Sequence, residues 1–111
     1  MSAAKARGTR WESAVVDFLR ERGFPHVERR ALAGALDKGD ITGIPGVVIE
    51  CKSQARHSLA EWADETEQER INAGADTASA WIKRRGFTSP GKAYVLLSGE
   101  QYAALLKQAG Y

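Results

Sequence analysis

Near the start of the chain, Trp11, Val15, Phe18 and Leu19, with Ala14 between them, recur at helical spacing and mark one apolar face. Thr9, with Glu12 three positions on, forms a capping-box pattern that predicts the helix start. Gly23 and Pro25 predict its end. From His26 to Cys51 the period shortens to that of strands. His26 to Leu32 reads as a first strand. Asp40 to Gly43 and Val47 to Lys52 read as two more, joined by a tight turn through Ile44, Pro45 and Gly46. Ser58 is placed to cap a second helix running to about Asn72, with Leu59, Trp62, Ala63 and Ala73 inside and the acidic residues outside; Gly74 suits its C-terminal stop. Asp76 to Arg85 fits a continued helix or a strand, and Gly74, the Ala80-Trp81-Ile82 run and Gly86 favour the strand. Ser89, Pro90 and Gly91 then turn the chain into a strand over 93–97, expected to be buried. Ser98 with Gln101 caps a last helix whose Tyr102, Leu105 and Leu106 share a face. The predicted order, α-β-β-β-α-β-β-α, describes an α/β fold with a mixed sheet flanked by helices.

The 111 residues suit a single domain, with residues 1–7 expected as a flexible basic arm. The 43% hydrophobic and 27% charged content is that of an ordinary globular protein. A single cysteine, Cys51, excludes an internal disulfide, and no Cys/His zinc spacing occurs. A metal site here would use oxygen ligands, which points to Mg²⁺ or Mn²⁺. The polar, basic start lacks the apolar region of a secretory signal, so a cytosolic protein is expected. Net charge is +2, but it is unevenly distributed: Lys5, Arg7 and Arg10 cluster at the start, Arg29 and Arg30 follow, and Lys83, Arg84 and Arg85 form a later block. With Arg56 these are the candidate phosphate contacts. Acidic residues concentrate between 61 and 69. Such segregation fits either one phosphate-facing side or two ordinary solvated faces.

The chemistry concentrates in Gly39-Asp40-Ile41 and, ten residues on, Glu50-Cys51-Lys52. In a strand Glu50 and Lys52 share one face, while Val47, Ile49 and Cys51 form an apolar one. A hairpin centred on Pro45 sets Asp40 opposite Glu50. Opposed carboxylates repel across a ladder and are retained where a cation lies between them. Mg²⁺ takes one or two carboxylates, with water and substrate phosphate completing its shell. Lys52 beside it can position an attacking water or bind the scissile phosphate. The set fits phosphodiester hydrolysis.

These motifs resemble the PD-(D/E)xK nuclease superfamily, most closely its small archaeal and phage-type Holliday junction resolvases. Arg7-Gly8-Thr9-Arg10-Trp11-Glu12 resembles the entry to the family's first helix, residues 34–41 its first carboxylate motif, and Val47-Val48-Ile49-Glu50-Cys51-Lys52 its second. Asn72 to Asp76 and the strand ending at Lys83-Arg84-Arg85-Gly86 resemble the distal part. The resemblance implies a restriction-endonuclease-like fold, metal ligation by Asp40, Glu50 and the Cys51 carbonyl, service of the attacking water by Lys52, and an extra acidic residue in Glu12. One departure is Gly39, where the family usually has proline.

Competing roles accompany several of these residues. Glu12 serves as a cap, a site residue or both. Asp37 competes with Asp40 but suits turn chemistry better. Gln54 shares the Glu50 face if the strand continues and is then either auxiliary or exposed. His57 has no partner spacing, Cys51 suits a small buried hydrophobe, and Trp11, Trp62 and Trp81 suit core positions. The expectation is a Mg²⁺-dependent, structure-selective DNA endonuclease, a junction resolvase acting as a homodimer, because two opposed cuts call for two sites about a two-fold axis. A flap, nicking or single-strand nuclease of the same fold, and a non-catalytic DNA-binding protein, are the alternatives.

Overall fold

The computed structural model describes residues 2–30 and 38–111. Among these residues it is an α/β fold in which three helices, α1 (Ala3–Glu21), α2 (Leu59–Ala73) and α3 (Gly99–Gln108), accompany five strands. The strands are β1 (Glu28–Arg29), β2 (Ile41–Thr42), β3 (Val47–Lys52), β4 (Thr77–Ile82) and β5 (Tyr94–Leu96), and they lie side by side in chain order. Among the described strands only β3 and β4 run parallel, joined through α2; the other neighbours are antiparallel. The sheet is therefore mixed.

Helix α1 begins earlier than the capping-box pattern predicts. Ser2 is the N-cap, its hydroxyl accepting from the Lys5 N–H at 3.1 Å. Thr9 lies inside the helix, and Lys5 and Arg7 stand on it instead of on a loose arm. Ala3, Ala4 and Ala6 are strong helix formers, which carries the helix back beyond Thr9. Trp11, Val15, Val16 and Leu19 pack with Val27, Ile41 and Ile49 into the main core, and Cys51, Phe18 and Trp81 border it. Two indoles tie this layer together: Trp11 Nε1–H donates to the Trp81 carbonyl at 3.0 Å, and Trp81 Nε1–H donates to that of Pro90 at 3.1 Å. Buried indole N–H groups need such partners.

On the other side of the sheet, α2 packs against β3 and β4 through Trp62, which meets Ala80 and Ile82. Its faces differ from the sequence expectation. Leu59 is exposed, whereas Thr66 and Glu69 are buried. Ser58 occupies the N-cap but its side chain makes no capping bond, while Gly74 ends the helix in the left-handed region as expected. Burial along α2 follows Trp62, Thr66 and Glu69, the stripe that faces the sheet.

The edges of the sheet are lighter than the sequence suggests. β1 holds two residues, both exposed; Leu32, the end of the predicted strand, lies outside the described residues, as do Asp37 and residues 34–36. β5 is an edge strand, with Tyr94 and Val95 exposed where a buried strand was expected. In α3 the Ser98 hydroxyl accepts from the Gln101 N–H at 3.1 Å, completing the expected cap, yet Tyr102 is exposed. An edge strand covers only one side of its neighbour, so its own side chains need not be enclosed.

Gly39 has φ +95°, and a Cβ there would fall 2.9 Å from Val48 Cγ1 and 3.1 Å from the Ile49 carbonyl oxygen. Proline, fixed near −65°, cannot adopt that conformation, which explains the glycine at this position. Gly39→Ala is expected to cost more than about 1 kcal/mol in a urea titration. Gly8→Ala, in open space within α1, should add about 0.5–1 kcal/mol.

Candidate active site

The strand β3 distributes the candidate residues between two faces. Cys51 turns toward the α1 core and Glu50 and Lys52 toward α2. The pairing of Ile41 with Ile49 is symmetric about Pro45, so one step further along the ladder sets Asp40 beside Glu50. The Asp40 N–H donates to the Ile49 carbonyl at 3.0 Å, and Asp40 Oδ2 accepts from the Cys51 N–H at 2.7 Å. The carboxylate thus completes a ladder bond where a backbone carbonyl would otherwise stand.

Glu50 is buried, and its Oε2 has no hydrogen-bond partner. Burial, reinforced by the nearby Asp40 and Glu69 carboxyls and a hydrogen bond with Glu69, pushes its pKa from 4.5 up to about 10; Lys52 opposes the rise. Lys52 Nζ lies 3.8 Å from Glu50 Oε1 and 2.7 Å from Glu65 Oε2, and 5.7 Å from the Trp62 ring centre. Burial lowers its pKa, but the hydrogen bond to Glu65 and the charges of Glu50, Glu65 and Glu69 outweigh that and raise it. Lys52 is therefore a held cation. Burial, then Asp40, Glu12 and Glu50, raise the Cys51 thiol pKa, so Cys51 stays an un-ionised thiol packed against the core.

Glu65 and Glu69 belong to the site although the acidic residues of the second helix are expected on its outer face. With Trp62 on the sheet side, the positions three and seven residues on, Glu65 and Glu69, follow it around to the same face. That spacing was the available signal. Together with Gln68 and Asn72 they line a cavity of ≈ 200 Å³ against Glu50.

Glu12 stands on the α1 side of the sheet. Its Oε1 accepts from Arg29 Nε–H at 3.1 Å, so it completes no capping box. Its charge reaches Cys51. Gln54 lies beyond β3 and is exposed. Among the basic residues, Arg7, Arg10 and Lys83 come together with Ser53 and Thr88 around a cavity of ≈ 250 Å³. Lys5, Arg30, Arg56 and Arg85 are exposed on separate segments, Arg29 is engaged by Glu12, and Arg84 stacks on Phe87. His57, expected to be solvated or to touch phosphate, is 5.8 Å from the Trp62 ring and 6.4 Å from that of Tyr94.

The chain matches no family model, no curated protein and no solved structure. Among the described residues no group of three or more His, Cys, Asp or Glu side chains is arranged to hold a metal ion. No helix among them is long and apolar enough to cross a membrane. The arrangement offers two adjacent carboxylates and one charged amine at the ends of β2 and β3, one carboxylate oxygen being buried and without a hydrogen-bond donor.

Between pH 4.5 and about 10, folded Glu50 keeps a proton that the unfolded chain has released. Its contribution to stability therefore falls as pH rises through that window. In EDTA, Glu50→Gln should melt above the wild type at about pH 8, with the gap closing toward about pH 4. Parallel melting curves across that range would contradict the buried-acid assignment.

Proposed function

We propose that this chain is a Mg²⁺-dependent endonuclease hydrolysing DNA phosphodiester bonds, with a restriction-endonuclease-like fold of the PD-(D/E)xK kind. Its leading substrate is the four-way junction, cut by a homodimer in DNA recombination, repair or phage DNA processing. The observation that carries this reading is the Ile41–Ile49 register, which sets Asp40 beside Glu50 with Lys52 on the Glu50 face.

The donor set suits a hard divalent cation. Glu50 Oε2 is buried without a hydrogen-bond partner, Asp40 adds a second carboxylate, and the Cys51 carbonyl is an oxygen donor of the same kind. Mg²⁺ needs only one or two carboxylates when water and phosphate supply the rest, so a set smaller than three side chains is sufficient. Asp40, Glu50 and the Cys51 carbonyl would hold it, and Mn²⁺ would serve in its place. When bound, such an ion lowers the pKa of water and offsets charge developing on phosphate oxygens. Glu12, across the strand, would act on the site only from the α1 side.

Lys52 supplies the chain's own part of the chemistry. Held protonated by Glu65 at 2.7 Å, it is a donor and a positive point charge within 3.8 Å of Glu50. In this reading it orients the attacking water or the scissile phosphate, and as a protonated amine it does not act as the base. The cavity of Arg7, Arg10 and Lys83 offers phosphate contacts that fix the duplex without reading sequence. A flap or single-strand nuclease of the same fold is the second reading, favoured by the exposed rings of Tyr94 and Phe87 at this end of the sheet.

Labelled four-way junction, flap, duplex and single-stranded DNA, each with Mg²⁺ or EDTA, separate these readings. Symmetric, metal-dependent cuts in the junction support the resolvase, and cuts in flap or single strand support the second reading. Binding with no cleavage of any substrate refutes the enzyme. Asp40→Asn and Lys52→Ala should each lower cleavage by about 10²-fold or more while junction binding in EDTA persists. Wild-type rates in either would refute the site.

A further inference from the structure

A line of rings and cations runs from Lys52 to the surface. Lys52 Nζ lies 5.7 Å from the Trp62 ring centre, Trp62 lies 5.8 Å from His57, and His57 lies 6.4 Å from Tyr94. The Arg84 guanidinium then covers both Tyr94, at 5.7 Å, and Phe87, at 4.1 Å. Trp62 is buried, but Phe87 is 38% and Tyr94 48% exposed, and His57 is exposed as well. Isolated apolar residues on a surface are ordinary. Here three accessible rings from three separate segments are joined by cation–π and edge contacts and lead to one site.

Each segment brings the rings there for its own reason. Tyr94 pairs with Ile82 in the β4–β5 ladder, so it takes the sheet face that Ile82 shares with Trp62. His57 precedes α2 and leans on Trp62. Phe87 sits in the turn after β4, held where Lys83 Nζ donates to its carbonyl at 3.2 Å. Arg56 and Arg85 adjoin His57 and Arg84 in sequence, Glu61 follows in the first turn of α2, and Lys83 lines the cavity of Arg7 and Arg10. Rings alone would suit many apolar partners. Rings joined by the Arg84 guanidinium complement an anionic chain carrying flat bases.

We propose that His57, Tyr94, Phe87 and Arg84 form a stacking platform for unpaired DNA bases next to the phosphate held at Lys52. The proposal rests on the nuclease reading for the role of Lys52 and deepens it. The substrate is DNA whose bases are splayed out of a duplex beside the cut, as at a branch or an end. Base stacking on aromatic side chains tolerates any sequence because every base has a π face.

The test is binding in EDTA, where cleavage plays no part. Fluorescence anisotropy compares a labelled oligothymidylate with an abasic oligomer of equal length and charge. Wild type should bind the thymidylate about tenfold tighter or more. Tyr94→Leu with Phe87→Leu should erase that difference and leave abasic affinity unchanged. Tyr94→Phe, which keeps the ring, should retain it, and a thermal melt checks that each variant is folded. Equal affinity for both oligomers in the wild type would overturn the platform, as would an unchanged preference in the folded double variant. Tighter binding of oligouridylate than oligothymidylate would overturn the DNA assignment. A wild type that prefers bases but cuts no DNA keeps the platform and removes the nuclease; one that cuts DNA without the preference does the reverse.

Discussion

The pairing of β2 with β3 at Ile41 and Ile49 sets where Asp40 stands relative to Glu50 and Lys52. Those two isoleucines are buried beneath α1, so a slip by one residue would carry β3's apolar side chains into the α2 layer and its charged ones into the α1 core. Burial therefore specifies the register, and the register in turn specifies which carboxylates meet. Gly39 provides the backbone turn that brings Asp40 into line, at a φ no other residue adopts easily. The hydrophobic core and the polar site are two consequences of one alternation along β3.

The electrostatics of the site follow from what α2 contributes. Burial, reinforced by the Asp40 and Glu69 carboxyls beside the sheet, leads Glu50 to retain its proton. Lys52 is held between Glu50 and Glu65, most of its side chain removed from water. An ion pair of that kind is not a strong source of stability, because desolvation offsets much of the Coulombic gain. Its effect is geometric: the amine of a long, flexible side chain is confined to one place. α2 is thus both the crossover that makes β3 and β4 parallel and the wall that orients the lysine.

Much of this was legible in the sequence wherever a local rule and burial agree. Val47 to Lys52 is the strand its apolar run and Glu50-x-Lys52 spacing predict, the turn through Pro45 and Gly46 is strongly marked, and Ser98 with Gln101 forms the cap expected of them. Legibility failed where two rules competed. Thr9 and Glu12 look like a cap, but the alanines upstream extend the helix and release Glu12 to Arg29. Glu65 and Glu69 were read outward because charged residues are seldom buried, although the spacing from Trp62 pointed inward. Tyr94 and Val95 read as buried because their strand is apolar; no local pattern distinguishes an edge strand from a central one.

Asp40 Oδ2 accepts the Cys51 N–H, so one carboxylate oxygen belongs at once to the ladder and to the site. A ligand that drew this oxygen away would leave a partly buried amide without its acceptor, a loss set against whatever the ligand gains. Occupancy of the site and closure of the strand end are therefore linked through a single backbone proton. The solvent exchange of the Cys51 amide becomes a gauge internal to the protein, reporting engagement of Asp40 even when no bond is cut.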